Sequence, residues 1–341
     1  MKFINFKPAE LTENEWHEYF RSRERLHHEN NPRSPLPSTK RRRDYMLDPH
    51  PDYILSWWRA ESEPGAVVGM GGVWWAKKNT SIYKEAKDTA YADMILEQEY
   101  ANDRNEIEFL RHLTETAQRI GKSKLIVETR AEHQQQLLQN LGFDIVSQRA
   151  TYRLHVSDVN LEMIEHWRSE CAKKAPGVAI ERHRSIPDED LVEYAKIYTE
   201  TWNQAPLENA APDMIVTPES RRKMESYFES QGEIWTTILS REPDSTISGL
   251  TEIWYNPELD YYIEQGLTGV KEQYRGRSIG KWLKAEMLAY ILREYPKATV
   301  IETGNADTNA PMRSINQQLG FRHYRNLWIL STKVNDLLSK L

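Results

Sequence analysis

A short basic loop between an apolar stretch and an amphipathic stretch is the segment best suited to chemistry. Residues 270–281 read Val-Lys-Glu-Gln-Tyr-Arg-Gly-Arg-Ser-Ile-Gly-Lys. Gly276 has no side chain to hold the main chain away from a ligand, and Ser278 is placed to cap a following helix. Free backbone N–H groups and the helix dipole favour an anion there. The segment therefore predicts a phosphate-binding turn, with an ordinary tight turn as the alternative.

The turn differs from the two best-known phosphate motifs. Arg275, Arg277 and Lys281 give it positive charge. It lacks the Gly-Lys-Ser/Thr ending of a P-loop and the three spaced glycines of a dinucleotide-binding loop. The loop therefore points to a phosphate-bearing ligand that is bound in another way.

The turn needs a strand before it and a helix after it, and the hydrophobic pattern supplies both. Residues 261–270 predict the strand, and residues 279–294 predict the amphipathic helix. Three prolines indicate a loop or lid over residues 205–218. This alternation predicts an α/β fold, a mixed and largely antiparallel sheet flanked by helices. Further strands are predicted at 178–183, 234–239, 246–255, 298–303 and 321–332, with helices at 191–202 and 309–319, the second capped by Asn309 or Thr308 and ended by Gly320.

The chain also repeats itself at about half its length of 341 residues. Gly69 matches Gly249 and Trp74 matches Trp254, each within a strand that follows a Glu-Pro turn. Two later matches occur in the same order, Val127-Glu128-Thr129 with Ile301-Glu302-Thr303 and Leu141-Gly142-Phe143 with Leu319-Gly320-Phe321. Matches in one order predict a duplicated domain.

The basic turn and the later helix together resemble the GNAT superfamily of acyl-CoA-dependent N-acyltransferases. The pyrophosphate loop of that family reads Gln/Arg-x-x-Gly-x-Gly/Ala, and residues 273–278 match it except that Ser278 stands at the last position. A second family motif has Asn, Ala, Tyr and Gly-Phe, and the corresponding residues here are Asn309, Met312, Asn316 and Gly320-Phe321. The resemblance covers roughly residues 178–335 and implies a tandem GNAT protein.

The resemblance also implies where acetyl-CoA would bind as co-substrate. The backbone of Thr268, Gly269 and Val270 would hydrogen-bond the pantetheine arm. The thioester would lie where two parallel strands separate. The pyrophosphate would be held by Gln273, Arg275, Gly276, Arg277, Ser278, Ile279, Gly280 and Lys281, with Asn309, Met312 and Asn316 lining the other side of the cofactor.

The first copy lacks the basic turn. Its matching segment, residues 97–106, has no glycine and carries Glu97, Glu99, Asp103 and Glu106, which would repel a pyrophosphate. We therefore expect residues 1–156 to form a degenerate, non-catalytic GNAT-like domain, with a structural role or as one wall of the acceptor site. Residues 157–177 are expected to form a helical linker, and residues 178–341 the catalytic domain.

Direct attack by an amine on a thioester requires a base, which the family takes from a Glu of the central strand. Glu264 lies on that strand, and the alternation of side chains places Tyr262 and Thr268 on its face. Glu252 and Glu302 lie on neighbouring strands and are predicted, with Tyr262, to bind substrate. Any one of these Glu residues is alternatively a solvated strand position.

The general acid of the reaction is open. Asn316 stands where the family has a Tyr, and an amide is no useful proton donor. The coenzyme A thiolate leaves unaided, or Tyr324 or another tyrosine substitutes.

The function predicted is therefore transfer of an acetyl group from acetyl-CoA to a primary amine of a small, cationic acceptor in a ternary complex. An amine-bearing antibiotic is one such acceptor. A metabolite amine or an amino-sugar thiol precursor, as in mycothiol-synthase-like proteins, is an alternative. A non-enzymatic acyl-CoA-binding scaffold is another, and an aminoacyl-tRNA-dependent transferase is disfavoured by the intact turn.

Composition excludes several other classes. The 45 basic and 51 acidic residues give a formal net charge of -6, which disfavours nucleic-acid binding. Cys171 is the one cysteine and cannot form an intramolecular disulfide. The N-terminal sequence lacks a signal-peptide core, and no apolar run approaches a membrane span. We expect a cytoplasmic monomer or homodimer with no metal, nucleic-acid or membrane partner.

Overall fold

The computed structural model describes residues 1–48, 50–203, 215–306 and 309–341. It divides into two compact units. The first contains residues 1–147 and 327–341, and the second contains residues 148–203 and 215–326.

Both units alternate strands and helices along the chain. The first contains β1 (Lys2–Phe6), α1 (Glu13–Asn30), α2 (Thr39–Leu47), β2 (Tyr53–Glu61), β3 (Val67–Ala76), α3 (Tyr83–Ala86), β4 (Thr89–Leu96), α4 (Asp103–Arg119), β5 (Lys124–Thr129) and α5 (Glu132–Asn140). There follow β6 (Asp144–His155), α6 (Leu161–Lys174), β7 (Ala179–His183), α7 (Leu191–Asn203), α8 (Pro218–Ser230), β8 (Ile234–Arg241), β9 (Ile247–Tyr255), β10 (Tyr262–Val270), α9 (Ile279–Glu294), β11 (Val300–Ala306), α10 (Ala310–Gln318), β12 (Arg322–Lys333) and α11 (Val334–Leu338).

Each unit has a mixed sheet with the same order of strands. The first unit runs β1-β2-β3-β4-β5-β12, and the second runs β7-β8-β9-β10-β11-β6. Within each, one central pair is parallel, β4 with β5 and β10 with β11, and the other pairs are antiparallel. The α/β fold with a mixed, largely antiparallel sheet is confirmed.

The repeat seen in the sequence is a repeat of strand register. Gly69 of β3 pairs with Leu96, the last residue of β4, and Gly249 of β9 pairs with Val270, the last residue of β10. A Cβ atom on Gly249 would lie 2.9 Å from Leu283 Cδ1, so the glycine lets α9 approach the sheet closely.

The other end of each strand pair carries the matched tryptophans. Trp74 pairs with Tyr91, and Trp254 pairs with Glu264. Tyr91 in turn lies opposite Ile126 and Glu264 lies opposite Glu302, so the register aligns Glu302 with Ile126 rather than with Glu128.

The core of the second unit lies between its sheet and α9. That helix buries Leu283, Met287 and Ile291, and its observed bounds are those predicted from its periodicity. The expected linker is part of this core, because α6 buries Ile164 and Trp167 in the same hydrophobic cluster. Burial of one apolar stripe of a helix is what packs it onto a domain.

The helix α8 was not predicted. Thr217 caps it by accepting a hydrogen bond from the Ser220 backbone N–H, and Pro218 occupies its first turn, where a missing N–H costs nothing. The third proline of the expected 205–218 loop therefore begins a helix. Residues 205–214 of that loop, and Thr308 as an alternative cap, lie outside the described residues.

The compact units also differ from the expected boundaries at 156 and 178. Arg153 and Leu154 of β6 pair with Glu302 and Ile301 of β11, within the second unit. The end of the chain pairs with the first unit, where Leu330 of β12 lies opposite Val127 of β5. The sheet of the second unit is thus completed by β6, which follows α5 of the first copy. The sheet of the first unit is completed by β12, which follows α10 of the second copy.

The packing of α6 yields a stability test. Ile164 is 1% exposed, whereas Leu161 on the same helix is 61% exposed. We expect Ile164→Ala to lower the free energy of unfolding by about 2–5 kcal/mol, because it leaves a cavity. The matched Leu161→Ala variant should change it by no more than about 0.5 kcal/mol. Urea unfolding followed by tryptophan fluorescence measures both, and equal effects would show that α6 is only a tether.

Candidate active site

The centre of the second unit is a fork between two parallel strands. Pairing of β10 with β11 begins at Tyr262 with Val300 and ends at Gln265 with Thr303. The Thr303 hydroxyl donates to the Gln265 carbonyl oxygen at 3.0 Å, at the point where pairing stops. Beyond it, among the described strands, β10 pairs only with β9 and β11 only with β6. One backbone edge of β10 is therefore available to an extended ligand.

A β-bulge in β10 lies at the same point. Gln265 pairs with Ile253 and Thr268 with Thr251, so three steps along β10 match two steps along β9. The extra residue reverses which side chains point to each face of the sheet. The Thr268 hydroxyl accordingly lies 2.7 Å from that of Thr251, on the α9 side with Gln265. The prediction that Thr268 shares a face with Glu264 is therefore wrong.

The basic turn has an unusual backbone. Gly276 and Ser278 have φ angles of 80° and 63°, in the left-handed region. Ser278 makes no side-chain capping bond to α9, contrary to the prediction, because capping requires an extended backbone at that residue. The first turn of α9 also contains no acidic residue. Left-handed residues in a turn aim successive N–H groups inward, which makes a concave anion site.

The basic side chains brace this turn. Arg277 is held by Glu242, with both carboxylate oxygens 2.9 Å from Nη1. Arg275 Nε donates to the Val270 carbonyl oxygen at 3.2 Å, which ties the turn to the end of β10. Lys281 Nζ donates to Gln318 Oε1 at 3.0 Å, which ties α9 to α10. Main-chain N–H groups are thus the donors that the turn presents, and Gln273 beside it is exposed.

Two buried asparagines near the fork have unsatisfied amides. Asn305 lies on β11 two residues past the last pairing with β10, and Asn316 lies on α10. Neither Asn305 Nδ2 nor the two polar atoms of the Asn316 side chain has a hydrogen-bond partner among the described residues. Asn316 is 1% exposed. Buried unpaired amides are costly, so polar groups of a ligand fit here.

The helix α10 is placed by its own cap. The Asn309 side chain accepts a hydrogen bond from the Met312 backbone N–H at 3.3 Å, as predicted. Ile315 reaches towards α9, since a Cβ atom on Gly280 would lie 3.9 Å from its Cδ1. The motif residues of α10 therefore lie next to the start of α9.

The opposite face of the sheet carries a row of charged side chains. Glu264, Glu302 and Arg153 occupy directly opposed positions on β10, β11 and β6. Arg153 Nε lies 2.7 Å from Glu302 Oε2, and both side chains are largely buried. Glu264 has no ion-pair partner among the residues that the structure describes. It is therefore the free carboxylate of the row.

The environment of Glu264 favours its protonated form. Its side chain keeps contact with solvent, yet its pKa is raised to about 7, chiefly through desolvation by the surrounding protein and then by the neighbouring carboxylates of Glu302 and Glu233. The pKa of Tyr262 is raised as well, first by burial and then by the carboxylates of Glu302 and Glu264. A carboxyl with a pKa near 7 suits a general base at neutral pH.

An aromatic wall adjoins Glu264. Trp254 lies directly opposite it on β9, and its ring covers Gly266, where a Cβ atom would lie 2.1 Å from the ring. Trp235 and Phe228 pack against Trp254 with ring centroids 5.4 and 6.1 Å away. Aromatic faces beside carboxylates favour a cationic group.

Two further predicted site residues are engaged by arginines. Glu252 is fully buried, and its Oε1 accepts hydrogen bonds from Arg221 and Thr237, each at 3.0 Å. It therefore anchors α8 to the sheet. Tyr324 contacts Arg153, whose guanidinium carbon lies 3.5 Å from the ring centroid. Arg153 and Asn305 were missed by sequence reasoning, although Asn305 follows the matched Ile301-Glu302-Thr303 segment.

The corresponding positions of the first unit differ. Tyr91 and Ile126 stand where the second unit has Glu264 and Glu302. The pairing of β3 with β4 shows no bulge. The start of α4 is capped by Asn102, whose side chain accepts from the Asn105 backbone N–H at 3.1 Å. The first unit therefore lacks carboxylates at these two positions and has a capped helix start.

Comparison with known proteins agrees with this geometry at the level of fold. No protein-family model matches the chain, and no curated protein matches it significantly. A tandem GNAT protein from the clavulanic acid biosynthesis pathway superposes with a TM-score of 0.75, at 18% identity over 98% of both chains. The chain has the tandem GNAT fold.

Two further GNAT structures share the architecture. A GCN5-related N-acetyltransferase from Sphaerobacter thermophilus has a TM-score of 0.63 at 14% identity, over 97% of this chain and 96% of that one. A putative acetyltransferase from Pyrococcus horikoshii has a TM-score of 0.54 at 12% identity, over 97% of this chain and 89% of that one. At such identities only the fold is shared, so the chemistry of this chain must be argued from its own residues.

Two other kinds of site are not found in the described part of the chain. None of its helices is long and apolar enough to cross a membrane. No group of three or more His, Cys, Asp or Glu side chains in the described ranges is arranged to hold a metal ion.

The raised pKa of Glu264 predicts a pH-dependent stability. Folding raises this pKa from 4.5 to about 7, so the carboxyl destabilises the fold as pH rises through that interval. We expect Glu264→Gln to unfold at a higher temperature than the wild type above pH 7 and at the same temperature below pH 4.5. Differential scanning fluorimetry from pH 4 to 8 measures this difference. The exposed Glu229→Gln on α8 is the control, and a pH-independent difference for Glu264→Gln would contradict the assignment.

Proposed function

We propose that the second unit is an acetyl-CoA-dependent N-acetyltransferase whose acceptor is a small cationic primary amine. The observation that carries the proposal is the fork, which places a free backbone edge and an uncapped helix start on one side of Glu264. The GNAT fold supports acetyl transfer in general. The acetyl donor and the acceptor are inferred from the residues around the fork.

The chain offers three groups to acetyl-CoA. The edge of β10 that faces away from β9, over Thr268, Gly269 and Val270, suits the amide groups of the pantetheine arm, and the Val270 carbonyl oxygen is the one group there that already accepts from Arg275 in the described part of the chain. The N–H groups of the turn at Gly276 suit the pyrophosphate. The unpaired amides of Asn305 and Asn316 suit polar groups between the two. When bound, acetyl-CoA would supply an acetyl group activated as a thioester.

Proton removal is assigned to Glu264. An amine attacks only as the neutral base, and a carboxylate with a pKa near 7 accepts its proton directly or through one water. Asn316 contributes polarity but no acidic proton. Tyr324 lies against Arg153, so we assign it no proton-transfer role and leave the thiolate to depart without a protein acid.

The acceptor class follows from charge and aromatic surface. Glu264 has no ion-pair partner among the described residues, Glu302 and Glu233 add negative charge near it, and Trp254 supplies an aromatic surface beside it. A second cationic group on the acceptor would be held here while the reacting amine loses its proton. Polyamines and aminoglycosides have this chemistry. Glucosamine carries a single amine and tests the amino-sugar alternative, for which a glucosamine N-acetyltransferase region of a fungal multi-domain protein shares the fold.

The first unit is assigned no acetyl transfer. Tyr91 and Ile126 replace the carboxylates, and the Asn102 cap and the acidic residues of α4 oppose a pyrophosphate. We propose that this unit is non-catalytic.

Cofactor binding is tested by thermal unfolding with and without acetyl-CoA. Ligand at 100 times its dissociation constant should stabilise the wild type by about 2.7 kcal/mol. Gly276→Glu should abolish the shift, because its carboxylate repels the pyrophosphate. Gly276→Ala imposes the same backbone strain without the charge, and Gly121→Glu places the charge at another open, left-handed glycine. Both controls should retain a shift, and no shift in the folded wild type at millimolar acetyl-CoA would refute the proposal.

Turnover tests the role of Glu264. We expect Glu264→Gln to lower kcat by about 10²-fold or more at pH 8, because the general base is lost. The KM for acetyl-CoA should change little, since Glu264 lies on the face of the sheet opposite α9. Product formation from a polyamine, an aminoglycoside and glucosamine, detected by mass, measures this. Unchanged turnover in Glu264→Gln would refute its role as the base.

A further inference from the structure

The charged row around the fork contains a residue whose position implies a role in the reaction. Arg153 lies on β6, directly opposite Glu302, which in turn lies directly opposite Glu264. Side chains of directly opposed residues point to the same face of a sheet. The three therefore form one line across three neighbouring strands, with Arg153 at one end and Glu264 at the other.

Arg153 is held firmly in this line. Its side chain is 8% exposed and its Nε contacts Glu302 Oε2 at 2.7 Å. The ring of Tyr324 covers its guanidinium at 3.5 Å. Because stacking on Tyr324 already orders the guanidinium, Arg153 loses little further side-chain entropy when it pairs with Glu302. The Glu302 carboxylate is consequently held in a fixed ion pair with Arg153.

We propose that Arg153 is a positioning residue for acetyl transfer, because its ion pair offsets part of the charge of Glu302 and so limits the repulsion that Glu302 exerts on Glu264, the carboxylate that exchanges a proton with the acceptor. This inference rests on the proposed function. Without Arg153, two adjacent carboxylates would share the site, and repulsion would make them bind a proton as a coupled pair. The base would then be protonated at the pH where the enzyme works.

The other charged and titratable groups near Glu264 do not replace Arg153. Tyr262 lies on its own strand, and Glu233 precedes β8 and adds negative charge. On β9, Glu252 is paired with Arg221 of α8 and hydrogen-bonded to Tyr194 of α7. Arg149 lies further along the face of β6, opposite Ala306, and Arg325 lies beside Tyr324 on β12. Arg153 is the cation in register with the two carboxylates.

The test is the acid limb of the pH profile of kcat/KM, which reports ionisation of the free enzyme. Arg153→Met should move the limb to higher pH by about one unit or more, because the charge of Glu302 is no longer offset. Glu302→Gln should move it to lower pH, because the negative charge beside Glu264 is removed while the positive charge of Arg153 remains. The double variant should return the limb close to its wild-type position. Arg153→Lys should retain much of the wild-type position.

Shifts of opposite sign that cancel in the double variant are not produced by loss of structure. Arg322→Met, an exposed arginine on β12, is the control and should leave the limb unchanged. Near-ultraviolet circular dichroism confirms that each variant is folded. An unmoved limb in folded Arg153→Met, or movement of both single variants in one direction, would overturn the inference.

A second readout separates this inference from the proposed function. Titration of ¹³C-labelled glutamate carboxyls by NMR, with Glu264 assigned from the Glu264→Gln variant, follows the same ionisation without turnover. A higher midpoint in Arg153→Met supports the coupling even if no amine is acetylated, in which case the proposed function alone fails. Turnover with an unmoved Glu264 midpoint would overturn the role of Arg153 alone.

Discussion

The separation of β10 from β11 after Gln265 and Thr303 is the constraint on which the second unit depends. Hydrogen bonds that would join two parallel strands are given up beyond this point, and the freed backbone needs another partner. The bulge between Gln265 and Thr268 makes the separation possible, because it adds one residue and turns the following side chains over. Glu264 lies just before that reversal. Its carboxyl therefore lies next to the point where the two strands separate, on the face of the sheet opposite α9.

The two faces of this sheet have different electrostatic character, and the division follows from the strand order. The α9 face combines uncharged amides and hydroxyls with the main-chain donors of the Gly276 turn, which suits an anionic ligand. The α7 and α8 face carries the adjacent carboxylates of Glu264 and Glu302 beside the ring of Trp254, which suits a cationic ligand.

Local sequence was sufficient for the features that depend on local physics. The bounds of α9, the Asn309 cap and the repeat of Gly69 at Gly249 were all predicted. Helical periodicity, a capping residue and a glycine that lets a helix approach a strand can each be recognised within a few residues of sequence. The face of Thr268 was predicted wrongly, because a bulge depends on register with a partner strand and Gly266 alone does not reveal it. Pro218 was taken as part of a loop although a proline also starts helices. Arg153 was missed because it lies in the first half of the sequence, whereas its partner Glu302 lies in the second.

The pairing of β12 with β5 has a consequence for biosynthesis. The sheet of the first unit lacks a strand until residues 328–333 have left the ribosome, although the strand it must join ends at Thr129. Throughout translation of the intervening residues, β5 presents an unpaired edge, and such edges are prone to join other chains. Completion of this sheet is thus governed by a contact of long sequence separation and is correspondingly slow. A gene cut at the apparent midpoint of the repeat would yield two fragments, each lacking the strand that closes its sheet.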